Sequence, residues 1–193
     1  MIRAIVAADE KWGIGKKNDL LFRLPADMKF FRSTTLGSTV CMGYNTLLSF
    51  PNGKPLPNRK NIVICPESVD RNDVICVHNL EDMLAILRKE TSDVYVIGGA
   101  TFYHTMLPYC EEVLVTKVKA DGGAEVFFDD LDKMPNFVCV SESDEIDTVK
   151  QVYGRGYKLG EKVMRYAQLT CRRRMPRALR RAYVYGHFRN RLS

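Results

Sequence analysis

The chain has 193 residues, 46% hydrophobic and 27% charged, which is the composition of a folded domain and excludes a disordered or fibrous class. Its net charge of +6 is uneven: residues 172–193 carry eight arginines and no acid, leaving 21 basic against 23 acidic side chains, a net of −2, in residues 1–171. No apolar run approaches the roughly 18 residues that span a bilayer, and the start lacks a cleavable-signal layout, so a cytoplasmic domain with no membrane partner is expected.

In chain order, strand-like runs fall at 2–8, 38–43, 60–65, 73–78, 93–99, 111–118 and 136–143. Several are continuously apolar, as in "IRAIVAA" and "KNIVIC", the pattern of strands covered on both faces. Helical patterns lie between them. The first, 25–34, opens on Pro25, which suits a first turn. A short one follows at 45–50, and another at 80–89 has Leu80, Met83, Leu84 and Leu87 at helical spacing. The last, 101–107, follows a glycine pair. This alternation predicts an α/β fold with a mostly parallel sheet. The stretch 10–19, "EKWGIGKKND", reads as a mobile loop, and 50–60 as a turn-rich connection. Residues 144–162 read as a long hairpin connection, with 163–170 returning as a strand of an antiparallel edge pair.

The six cysteines, at 41, 65, 76, 110, 139 and 171, lie no closer than eleven residues apart. They make no CxxC metal knuckle, and reduced thiols acting as small hydrophobes are expected. His78, His104 and His187 have no metal-ligand spacing, so no metal is expected.

Three segments carry candidate chemistry. In "LLFRLPADMKFFRST", Asp27 is a lone acid in an apolar neighbourhood and shares a helix face with Phe31, four residues on. It reads either as a first-turn aspartate favoured by the helix dipole or as a carboxylate awaiting a cationic or amidine-like ligand. In "YVIGGATFY", Gly98 and Gly99 end a buried strand and open a helix, which suits either a tight turn or a phosphate approaching the backbone. "VCMGYNTLLSF" repeats the arrangement at Gly43, with Asn45 and Thr46 available to cap the next helix. Two such junctions fit a ligand with several phosphates across the carboxyl ends of a sheet.

With these segments placed, residues 1–143 resemble the dihydrofolate reductase family. The ordered set "AIVAADEKWGIGKKNDLLFRLPADMKFFR", "MGYNTLLSF", "PLPNRKNIV", "VIGGATFY" and "LVTKV" carries the resemblance. It implies a central, mainly parallel eight-stranded sheet with flanking helices and an antiparallel C-terminal edge hairpin. It also implies NADPH as cofactor and dihydrofolate as substrate of a monomer. Asp27 would accept hydrogen bonds from the pterin N3 and 2-amino group, supported by the Thr116 hydroxyl, while Leu20, Phe22 and Tyr103 complete the catalytic set. Ile5, Ala7, Met28, Phe31, Phe50, Leu56 and Ile97 would wall the substrate, and Arg59 would clamp its glutamate α-carboxylate. Ala7, Ile14, Gly15 and Asn18 would line the nicotinamide end. Gly43, Asn45, Thr46, Gly98, Gly99, Ala100, Thr101 and Phe102 would surround the phosphates, with a cis peptide between the paired glycines. Tyr44 and Cys65 fall at the adenosine end.

The chain departs from that family in places. Phe22 stands where a tryptophan is usual and Leu21 where a proline is common. Tyr44, Cys65-Pro66 and Thr101 occupy positions usually basic or hydroxyl-bearing, so no guanidinium is evident for the adenosine 2′-phosphate. Residues 172–193 lie outside the resemblance and read as a disordered extension, although arginines interleaved with tyrosine and phenylalanine also suit nucleic acid. Two other functions stay open: a related pterin or pyrimidine reductase of riboflavin synthesis, and a non-catalytic nucleic-acid-binding protein acting through the tail. The catalytic domain is expected over residues 1–171.

Overall fold

The computed structural model describes residues 1–152 and 155–168; Cys171 and the basic tail lie outside the described residues. In chain order the elements are β1 (Ile2–Ala8), β2 (Gly13–Lys16), β3 (Asp19–Leu20), α1 (Pro25–Thr35), β4 (Thr39–Gly43), α2 (Tyr44–Ser49), β5 (Lys60–Ile64), β6 (Ile75–Val77), α3 (Leu80–Leu87), β7 (Val94–Val96), α4 (Ala100–Met106), β8 (Glu112–Val118), β9 (Val126–Phe127), β10 (Phe137–Glu142), β11 (Ile146–Val152) and β12 (Arg155–Gln168).

The main sheet runs β10-β12-β8-β1-β7-β4-β5-β6, eight strands along its path, with β11 paired to β12. The pairings from β8 through β1, β7, β4 and β5 to β6 are parallel. β12 pairs antiparallel with β8, β10 and β11. The parallel strands bury both faces, which explains their continuous apolar runs. Ala4, Val6, Cys41, Val94, Val96, Val113 and Val115 face one cluster. Ile5, Val40, Met42, Val63, Tyr95 and Ile97 face the other.

β7 inserts between β1 and β4, so the carboxyl ends of these three strands lie side by side. α1 starts with proline in its first turn. In α3 the Asn79 side chain caps the helix by accepting from Asp82 N, and Met83, Leu84 and Leu87 are buried as their spacing requires. Among the described residues no helix is long and apolar enough to cross a membrane.

Two expectations change. The segment 10–19 is not simply a loop: β2 and β3 form a small antiparallel sheet with β9. Its anchor is Asp9, 1% exposed, whose carboxylate accepts from the backbone N–H of Lys11, Gly13 and Gly122 at 2.9, 2.7 and 3.1 Å. The supposed connection at 144–162 is itself strand: Ile146–Val152 pairs residue for residue with Arg155–Glu161 before β12 continues between β8 and β10.

Candidate active site

The first-turn position of Asp27 on α1 turns it toward β8, where Thr116, 2% exposed, hydrogen-bonds its carboxyl. Thr116 is in register with Ala7 on β1, which places Ala7 beside the pair. Burial raises the Asp27 pKa above the ordinary aspartate value, and the Thr116 hydrogen bond partly opposes it. Among the described residues no basic side chain pairs with Asp27. Ile5, Phe31, Phe50, Leu56 and Ile97 join one apolar cluster on this face of the sheet. Met28 is 47% exposed and is not one of the cluster's residues.

Arg59 is held in advance. Its Nε donates to Thr35 Oγ1 at 2.8 Å, Nη1 to Pro57 O at 2.7 Å and Nη2 to Arg32 O at 3.3 Å. The guanidinium carbon lies 5.9 Å from the centre of the Phe31 ring. Thr35, which no sequence signal marked, therefore fixes the arginine.

At the ends of β4 and β7 the two glycine junctions meet: Gly43 N donates to Gly98 O at 2.8 Å, and the Gly98–Gly99 peptide is cis. Gly98 has φ of 122°, a conformation open to glycine, and a Cβ there would come within 3.3 Å of the Tyr103 ring. Gly43 caps α2 and Gly99 caps α4, and neither helix has a side-chain cap. Their first amides are left for another acceptor, which fits the phosphates of a dinucleotide. Asn45 and Thr101 are exposed at these starts, Thr46 and Ala100 are half-buried, and Phe102 is buried. Tyr103 is buried; its hydroxyl donates to Ile5 O at 2.7 Å and ties α4 to β1.

In the segment above, Phe22 is buried with Leu24 and Val118, whereas Leu20 is 55% exposed and Asn18 is exposed. Ile14 packs on the first core cluster and Gly15 is buried. Leu21 lies over Gly122, where a Cβ would come within 2.5 Å of it.

Two further groups escaped the sequence reading. The Arg71 guanidinium reaches Tyr44, while donating to Gly53 O and to both oxygens of Asp73. A guanidinium is thus present beside Tyr44, brought by the 65–74 connection. Glu161, 4% exposed, is opposite Val118 and so shares the sheet face of Thr116. Its Oε2 has no partner among the described residues, and burial, with the Asp27 charge, raises its pKa.

Known proteins resemble the chain over most of its length. The dihydrofolate reductase family model matches residues 1–157. Dihydrofolate reductase of Bacillus subtilis is 35% identical over 84% of this chain and 95% of its own length. That of Staphylococcus haemolyticus is 33% identical over 66% of this chain and 75% of its own. A solved Enterococcus faecalis dihydrofolate reductase, complexed with NADP(H) and RAB-propyl, superposes with a TM-score of 0.74 at 25% identity, covering 87% of this chain and 96% of that one. The chain belongs to the dihydrofolate reductase family.

Proposed function

We infer that this protein reduces dihydrofolate to tetrahydrofolate with NADPH, in support of one-carbon metabolism. The observation that carries the reading is Asp27: a half-buried carboxyl against apolar walls, hydrogen-bonded by Thr116 and paired with no cation among the described residues. Such a group is costly unless a ligand brings donors. A pterin supplies them at N3 and the 2-amino group, in a charge-assisted pair. Arg59 suits the other end of folate, since a planar fork matches a carboxylate in two places. The Asp27 and Arg59 pair addresses both ends of folate, which favours it over the pyrimidine of riboflavin synthesis.

When bound, NADPH supplies the hydride that reaches C6 of the pterin. The chain's own residues orient and protect. Asp27 holds the ring, and its negative charge favours protonation at N5 by water admitted past residues 10–23. Leu20, Phe22 and Tyr103 flank the reacting atoms, and Ile5, Ala7, Met28, Phe31, Phe50, Leu56 and Ile97 keep the substrate dry. Ala7, Ile14, Gly15 and Asn18 receive the nicotinamide. The uncapped starts of α2 and α4, from Gly43, Asn45, Thr46 and from Gly98, Gly99, Ala100, Thr101, Phe102, hold the phosphates. Tyr44 and Cys65 stand at the adenosine end. Residues 1–171 act as the catalytic unit, a cytoplasmic monomer, with 172–193 as an appendage.

The test is the loss of reduced-nicotinamide absorbance when the full chain is mixed with dihydrofolate and NADPH. Turnover that falls by about a hundredfold or more in Asp27→Asn is expected. Absence of turnover in the parent, with both ligands at saturating concentration, would overturn the reading.

A further inference from the structure

Cys65 follows the carboxyl end of β5, and Cys76 is the middle residue of β6. Their Sγ atoms are 3.0 Å apart, with Cys65 donating to Cys76. The backbone around them is fixed by the ladder. Val63 is in register with Cys76 and Ile64 with Val77, and Cys65 N donates to Val77 O at 2.8 Å. A disulfide needs sulfurs about 2.05 Å apart, and since the register sets the two cysteines two positions out of line, closing the remaining distance of about 1 Å draws the chain after β5 toward β6. Among the described residues no other two thiols are hydrogen-bonded to each other.

The pair is also asymmetric. Cys65 is 2% exposed, and burial, with the Cys76 hydrogen bond, pushes its thiol up to about 12. Cys76 is half-buried on β6, the strand at the margin of the main sheet. Cys76 is therefore the sulfur that meets a small oxidant, and Cys65 the sulfur that resolves the adduct.

We propose that Cys65 and Cys76 form a reversible redox pair, closed to a disulfide by a low-molecular-weight disulfide, and that closure weakens NADPH binding. The second clause rests on the assignment of Cys65 to the adenosine end. The steps balance as thiol–disulfide exchange. Cys76 gives up its proton and attacks one sulfur of oxidised glutathione, and the first glutathione leaves with a proton. Cys65 then gives up its proton, attacks Cys76 Sγ in the mixed disulfide and expels the second glutathione, which is protonated in turn. Two protein S–H bonds become one S–S bond, and the small disulfide is reduced to two thiols.

Closure draws Cys65 toward β6. Tyr44 packs in the same apolar cluster as both cysteines, so that wall shifts with it. The full chain is equilibrated with oxidised glutathione, alkylated and peptide-mapped, and NADPH affinity is measured by calorimetry before and after. A link between the Cys65 and Cys76 peptides, lighter by about 2 Da and reversed by dithiothreitol, is expected. NADPH Kd should rise about three- to tenfold, a fraction of what a 1 Å displacement at reacting atoms costs. In Cys76→Ser neither change should occur. Full alkylation of both cysteines, a stable glutathione adduct on Cys76, or a link to any other cysteine would overturn the pair. A disulfide that leaves NADPH affinity unchanged would keep the redox pair and overturn the placing of Cys65 at the cofactor.

Discussion

At the Asp27 end the groups that would meet a ligand, Asp27 and Arg59, are already held, with only Glu161 Oε2 left without a partner among the described residues. Thr116 bonds the carboxyl, Thr35 and two carbonyls fix Arg59, and the walls belong to the core of the sheet. At the Tyr44 end the polar groups are engaged with each other: Arg71 spends its guanidinium on Asp73 and Gly53, and Cys65 faces Cys76. The contrast has a physical basis. A half-buried carboxyl against apolar walls must be oriented before the ligand arrives, because leaving it unpaired once the site is dry costs several kcal/mol. A half-buried guanidinium whose acid partner is exposed exchanges partners more cheaply, since an ion pair open to water contributes about 0–1 kcal/mol. On the proposed function, the first end would select by preorganisation and the second by exchange.

Breaking the first end produces the largest effect. Asp27→Asn should lower turnover at neutral pH by about a hundredfold or more, the scale of a lost electrostatic contact to the reacting group. The same variant should be more stable. Because the folded pKa of Asp27 is raised, the folded state holds its proton more tightly than the unfolded chain. Stability from this group is thus present at low pH and is lost as pH rises through the raised pKa. Asparagine removes that loss, so thermal unfolding above that pH should move up by a few degrees. A variant that is less stable at neutral pH would mean that Asp27 is a structural anchor and not a ligand group. Arg59→Ala comes next. Hydrogen bonds to a charged group contribute about 1.5–3 kcal/mol, which predicts a KM for dihydrofolate raised about ten- to a hundredfold with kcat nearly unchanged. At the other end, Tyr44→Arg with Thr101→Arg should widen the preference for NADPH over NADH by about tenfold, because two guanidinium groups free of acidic partners would meet the 2′-phosphate. Unchanged discrimination in steady-state kinetics would move the adenosine end elsewhere.

How legible each end was follows the same division. Asp27 and Phe31 share a helix face by spacing alone, and the Gly43 and Gly98-Gly99 junctions are marked by strand–glycine–helix order, but local pattern left a structural and a ligand reading open at each, and the family resemblance chose between them. The parallel strands announced themselves by continuous apolar runs. Arg71, Asp9 and Glu161 were not legible. Arg71 reaches Tyr44 from 27 residues away through an irregular connection. Asp9 acts through backbone amides on a segment more than a hundred residues distant, as at Gly122. Glu161 joins the face of Thr116 through a strand register that a polar, glycine-containing segment does not reveal. β11 and the first half of β12 were hidden for the same reason, since their polar composition resembles a connection rather than a ladder.

The smallest effect discriminates best between a wall and a tuned group. Thr116 is buried beside Ala7 and would serve packing as well as chemistry. Its hydroxyl donates to Asp27 and lowers that pKa against the rise from burial. Thr116→Val keeps the branched shape and removes the donor, so the Asp27 pKa should rise further and the acid limb of kcat/KM should move to higher pH. A net hydrogen bond of about 1 kcal/mol corresponds to about a fivefold loss on that limb. The loss should vanish at alkaline pH, where Asp27 is ionised in parent and variant alike. A packing defect behaves otherwise, because it lowers the rate by one factor at every pH. A uniform loss across the profile would therefore return Thr116 to the core and leave Asp27 tuned by burial alone.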